Sequence, residues 1–252
     1  MKIKFLALAA AMMISTTSFA QFSQSKNFSN SSNEISKGWN SLYVQYNSIG
    51  TSYSLSSLND EKGNYGDMIQ EMIDDSGLSE KLNAVSIGYN RAINLTPSAP
   101  LYLEIGAALQ YAFYSDEIDL NDYHDKITGS MLTAKIPVSL LYHVAIPNSD
   151  FAIEPFAGID FKYNIIGTAK SEETYKNYGE TKKDEEKIDN IFDKKDCDGH
   201  PANRFQAGWH VGANFVYKKA FIGVSYGKDF SKFHDDIDLK FNTLSATLGC
   251  RF

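Results

Sequence analysis

The chain has 252 residues, 13% of them aromatic, and a formal net charge of −7. So acidic a balance argues against nucleic-acid binding, which needs clustered Lys and Arg to neutralise phosphates. The length suits a single β domain and does not demand two.

At the N-terminus, Lys2 and Lys4 precede an apolar run from Phe5 to Ile14 and the small-residue exit Ser18-Phe19-Ala20. These are the three parts of a secretory signal peptide. The run of about ten residues is too short for a spanning helix, which needs about twenty. Residues 1–20 are expected to be a signal peptide and 21–252 the exported domain. Losing Lys2 and Lys4 takes the net charge from −7 to −9. Beyond the leader no apolar run is long enough for a membrane helix, yet alternating strands cross a bilayer without one.

A first strand is expected around Leu42, Val44 and Tyr46. An acidic segment follows from about Ser57 to Lys81, in which Met68-Ile69 and Met72-Ile73 have helical spacing and suggest a short amphipathic cap. Val85, Ile87, Tyr89 and Ile93 alternate as a second strand, with outward Arg91 near the following short turn (Leu95 to Pro100). Strict period two then runs through Leu101, Leu103, Ile105, Ala107, Leu109, Tyr111 and Phe113. After a charged stretch from Ser115 to Gly129, it resumes in Leu132, Ala134, Ile136, Val138, Leu140, Tyr142 and Val144. A tight turn at Ile146 to Ser149 leads into Phe151, Ile153, Pro155, Ala157, Ile159, Phe161, Tyr163 and Ile165. The longest charged segment, Thr168 to Asn203, precedes Phe205, Ala207, Trp209, Val211, Ala213, Phe215 and Tyr217. Lys218-Lys219 turns the chain into Ile222, Val224 and Tyr226. A modest loop at Phe230 to Asp238 precedes Leu244, Ala246, Leu248, Cys250 and Phe252.

Apolar residues two apart on segments of this length are the signature of strands, and the total is eight. The opposite face is rich in Gly, Ser, Thr and Ala, which suits a crowded interior rather than water. Short and long connections alternate throughout, as in outer-membrane barrels with periplasmic turns and extracellular loops. Closing the sheet also removes the edges that lipid leaves unpaired. The expected fold is all-β: an eight-stranded antiparallel up-and-down transmembrane β-barrel. Its topology places Cys197 outside and Cys250 at the periplasmic end, too far apart for a disulfide.

The inward face carries Glu104, Lys135, Glu154, Asp160, Lys162, Arg204 and Arg251, which must be paired or hydrated there. A turn centred between Pro147 and Asn148 would set Lys135 opposite Asp160. A partnered-charge plug is expected. The alternative, a selectivity ring in an open channel, conflicts with the narrow interior of eight strands. His143 and His210 also face inward, with Ser139 and Ser225 as candidate nucleophiles. Their expected heights, His143 near the periplasm and His210 mid-strand, assemble no triad, so no enzymatic activity is expected. His124 lies near Asp122 and Asp125, as in a solvated acidic loop. Asp193, Asp196, Asp198 and Gly199 resemble part of a calcium loop but lack its later Glu, so no metal is assigned.

Three stretches carry a family resemblance: AKIPVSLLYH (134–143), IEPFAGIDFKYNI (153–165) and NRFQAGWHVGANFVY (203–217). Together they resemble the "porin family" outer-membrane β-barrel domain, an OmpA/OmpX-like group of small barrels. Terminal Phe252 is similar to the signal that the barrel-assembly machinery reads. The resemblance implies an outer-membrane location, with membrane lipid and lipopolysaccharide as surroundings, and supplies no shared catalytic motif or cofactor. The expected role is structural or surface-interacting, as a monomer. A small passive pore, a lipid-modifying enzyme and a soluble ligand-carrying barrel are the alternatives.

Overall fold

Extended backbone dominates because β-branched and aromatic residues at every second position leave one apolar face to bury or coat with lipid. The structure, a computed structural model, describes residues 37–52, 81–120, 123–177, 180–197, 199–234 and 239–252. The expected leader (1–20), the amphipathic cap, Asp122 and Asp198 lie outside the described residues.

The strands are β1 (Gly38–Ser52), β2 (Lys81–Thr96), β3 (Ala99–Leu120), β4 (Tyr123–Tyr142), β5 (Val144–Ala145), β6 (Phe151–Asn177), β7 (Glu180–Ile188), β8 (Phe205–Tyr217), β9 (Ala220–Asp229) and β10 (Lys240–Arg251). Neighbouring strands pair antiparallel, β4 pairs with β6 and β8 with β6, and β1 closes on β10. The result is a ring of eight strands. β5 only prolongs the β4 edge, and β7 pairs with β6 outside the ring. Terminal Phe252 completes the seam, exchanging backbone hydrogen bonds with Asn40 at 3.0 and 3.1 Å.

The expected polarity holds strand by strand. Val44, Tyr46, Ile136, Leu140, Trp209, Val224 and Leu248 all point outward and are exposed. Asn47, Ser86, Gln110, Thr133, Glu154, Gln206 and Arg251 are buried inside. The barrel is therefore polar within and apolar without, the reverse of a water-soluble barrel.

Two of the segments expected as loops are strands. β3 and β4 continue to Leu120 and Tyr123, and β6 runs on to Asn177 before returning as β7. Beyond the apolar belt, β3, β4, β6 and β7 thus form a four-stranded fin. Tyr114 to Leu120 alone extends it by roughly 20 Å at about 3.3 Å per residue. Charge alternation hid these strands, because outside lipid neither face needs to be apolar. β7 pairs only with β6 among the described residues. Its Lys182, Lys183, Asp184, Glu185, Glu186 and Lys187 guard that edge against unwanted strand pairing. Within the fin, Lys170 holds Glu172 and Glu185, and its hydrogen bond keeps the Glu172 carboxyl below its ordinary pKa.

Register differs from expectation at the β4–β6 turn. Pairs such as Ala145 with Ala152 and Lys135 with Lys162 shift the partnership by two residues. Asn148 takes a left-handed φ of 59°, and Ile146 N–H bonds Phe151 O at 3.0 Å, so the turn is wider than the expected one. Lys135 consequently faces Lys162, and Asp160 stands opposite Pro137. A bulge beside Leu132/Thr133 then turns both Ile165 and Ile166 outward.

Candidate functional site

Parity directs a ladder of polar side chains into the lumen, and its two ends are stopped by different chemistry. At the end that carries the short turns, Arg251 on β10 reaches across the interior to Glu154 on β6. β8 and β9 lie between them, so the pair spans the lumen. The contact is bidentate, with Nη1 to Oε1 at 2.7 Å and Nη2 to Oε2. Glu154 also receives His143 Nδ1 at 2.5 Å. The guanidinium lies 4.2 Å from the Trp39 ring centroid and 5.4 Å from that of Phe221, a cation–π sandwich. Trp39, Ala92, Tyr102 and Leu141 pack beneath it.

The outer end is closed by apolar packing. The segment after β7 folds back into the mouth, where Phe192 and Ala202 join Ile49, Ala84, Ala112, Met131 and Phe241. Phe233 adds an edge-on contact to Phe192 at 5.9 Å. Gly167 makes room for it, since a Cβ there would come within 2.8 Å of Ile191.

Between the stoppers lies a polar chamber of about 90 Å³, lined among others by Tyr43, Glu104, Lys135, Ser139, Lys162 and His210. That is room for on the order of six waters. Lys162 bonds Asp229 Oδ1 at 2.6 Å, and Glu104 Oε1 accepts Asn90 Nδ2 at 2.9 Å. Lys135 lines the same chamber as Asp160 but pairs in register with Lys162, so the expected cross-strand partnership of Lys135 with Asp160 is not formed. Asp160 meets His210 instead, with Oδ2 3.0 Å from Nδ1. The imidazole's other nitrogen, Nε2, is hydrogen-bonded to the Ser139 hydroxyl at 2.7 Å.

The structure therefore corrects one expectation directly: Ser139, His210 and Asp160 do assemble. They come together because Ser139, Gly158 and His210 sit in one lateral row across β4, β6 and β8. Gly158 has no side chain to separate them. A Cβ there would stand 2.1 Å from Val138 O and 2.8 Å from His210 Nε2. Gly158→Val is accordingly expected to destabilise the barrel by about 1–3 kcal/mol through overpacking. The shift in urea midpoint of the refolded protein measures it.

Arg204 departs from the expected lumen set. It precedes the first residue of β8, so strand parity does not govern it. It lies at the outer rim, donating to Asn164 O and Ile165 O at 3.2 and 2.8 Å, over the Phe192 ring. Asp229, which the alternation of apolar residues did not reveal, sits at the second inward position past Tyr226, the last apolar residue of its strand. Cys197 and Cys250 are not joined to each other. Among the described residues no three His, Cys, Asp or Glu side chains converge as metal ligands.

No known family and no curated protein matches the sequence. Similar solved structures include Ail, the attachment invasion locus protein of Yersinia pestis, also solved with the heparin analogue sucrose octasulfate. It is 13% identical at a TM-score of 0.39, covering 86% of this chain and all (100%) of that one. Neisserial surface protein A is 12% identical at a TM-score of 0.33, covering 84% of this chain and 97% of that one. The outer membrane enzyme PagL is 9% identical at a TM-score of 0.41, covering 82% and 98%.

Proposed function

We propose that this chain is a monomeric, non-conducting, non-enzymatic outer-membrane barrel of structural or surface-interaction role, presenting the β3–β4–β6–β7 fin to the exterior. One observation carries the reading: the lumen is stopped at both ends, while four strands continue past the apolar belt. A conduit would put its distinguishing chemistry along an open axis. Here many of the interior polar groups bond one another, and among the described residues much of the solvent-facing charge lies on the fin.

On this reading the belt contacts membrane lipid, and the ring of acyl chains substitutes for the water that would otherwise face Val44, Ile136 and Leu248. Arg91 remains outward at the periplasmic end, where its Nη1 bonds Asn40 Oδ1 at 3.0 Å. A long side chain there can reach headgroup phosphates, with lipopolysaccharide contacting the opposite rim. Phe252, paired into the closing seam, serves as the segment that the barrel-assembly machinery reads.

Two measurements test the proposal. Refolded protein in planar bilayers is expected to show no single-channel steps. Stable steps would favour the passive-pore reading and end this one. Trypsin added to intact cells is expected to cut at Lys182 or Lys183 in β7. Protection of both sites until the outer membrane is breached would put the fin on the wrong side.

A further inference from the structure

The Ser139–His210–Asp160 arrangement is more than a way to satisfy buried polar atoms. We propose that Ser139 is an activated nucleophile, and that the lumen chamber is a modification site at which short activated acyl esters transfer their acyl group to Ser139 Oγ.

The order of contacts supports this. Oγ is hydrogen-bonded to Nε2 at 2.7 Å, so the imidazole stands where a general base must stand. Asp160 Oδ2 approaches the opposite ring nitrogen at 3.0 Å, within ion-pair reach though off the line of a good hydrogen bond. With Nδ1 protonated toward that carboxylate, Nε2 is left as the acceptor, and the imidazolium formed on proton uptake is stabilised. Phe156, edge-on to the ring at 5.9 Å, holds its plane. Other lumen hydroxyls are differently placed. Ser245 Oγ donates to Asn47 Oδ1 at 2.7 Å, an amide oxygen that cannot take the proton away.

The step balances. Oγ forms a bond to the acyl carbon, and the bond from that carbon to the leaving oxygen breaks. The Oγ proton passes through Nε2 to that oxygen, which departs as the alcohol. The chamber sets the substrate class. About 90 Å³ takes a short acyl group and no lipid chain. Turnover is not part of the proposal. An activated ester has a good leaving group and can acylate without oxyanion donors, whereas the acyl-Ser139 product is an unactivated alkyl ester whose hydrolysis needs them. The neighbouring backbone amides are committed to the strand ladders, and Glu104 pairs in register with Ser139. The acyl group therefore stays on Ser139.

The test uses the full chain refolded in detergent, p-nitrophenyl acetate as probe, and peptide mass spectrometry as readout. Ser139 is expected to acquire one acetyl group while Ser225 and Ser245 stay unmodified. His210→Gln is expected to slow the labelling by about a hundredfold or more, and Asp160→Asn to slow it as well. Phe192→Ala, which loosens the outer stopper, should speed it. Each variant is first checked for native heat-modifiable migration, so that a misfolded barrel is not scored. Absence of Ser139 acetylation in both the native protein and folded Phe192→Ala overturns the proposal. So does equal labelling of the other lumen serines, or a rate unchanged in folded His210→Gln.

Discussion

Replacing Glu154 by Ala is expected to cost the barrel about 3–5 kcal/mol, the usual penalty for stranding one member of a buried ion pair. The Arg251 side chain is 2% exposed and that of Glu154 fully buried (0%), so water cannot take over the lost contact. The aromatic rings on the guanidinium compensate only partly, since cation–π contacts are worth about 2 kcal/mol even when desolvated. The loss also unties His143, whose ring bonds the same carboxylate. Unfolding in urea, followed by fluorescence of Trp39 beside the plug, measures the cost. The double replacement Glu154→Met with Arg251→Met should recover most of it, because two apolar side chains leave no charge behind. A single-variant cost under about 1 kcal/mol, or a double variant worse than either single one, would mean the cross-lumen bridge does not hold this end of the barrel.

What the sequence made legible follows from which physical constraint acts where. Inside the belt, an outer face that must be apolar and a cramped polar lumen impose period two, interrupted at the Ile165–Ile166 bulge. The strands from Leu101, Leu132, Phe151 and Phe205 could therefore be read with their polarity, and Glu104, Lys135, Glu154, Asp160, Lys162 and Arg251 placed inside. Parity says nothing about height. Whether Ser139 meets His210 depends on the stagger of β4, β6 and β8, and the sequence indicates that only through Gly158. A glycine between two inward polar residues is a sign that side chains from the strands on either side touch across it. The Lys135–Asp160 expectation failed for the same reason: a turn two residues wider moves every partner by one inward position. Beyond the belt the constraint disappears, so the fin's charged strands looked like loop. Arg204 was misplaced because parity was carried one residue past the start of its strand.

Polarity itself is open to a direct challenge at Val224. This residue lies mid-way along the outward row of β9, between Ile222 and Tyr226, and is 55% exposed. Its ladder neighbours on both sides are Ala213 and Ala246, so an arginine there meets no steric obstacle. If the belt stands in hydrocarbon, Val224→Arg is expected to cost about 2–4 kcal/mol when the protein unfolds from lipid vesicles, the range for a cation near the bilayer midplane. Ser115→Arg, on the exposed stretch of β3 paired with Thr128 in the fin, should stay within about 0.5 kcal/mol, as ordinary surface changes do. The comparison separates solvents rather than contacts. Both sites are exposed strand positions, and both variants add the same side chain. Were the outer wall in water, Val224→Arg would exchange an awkward apolar residue for a soluble one and cost nothing. A bilayer charges for the guanidinium at one height and ignores it at the other. Equal costs at the two positions would therefore remove the membrane from the description of this protein.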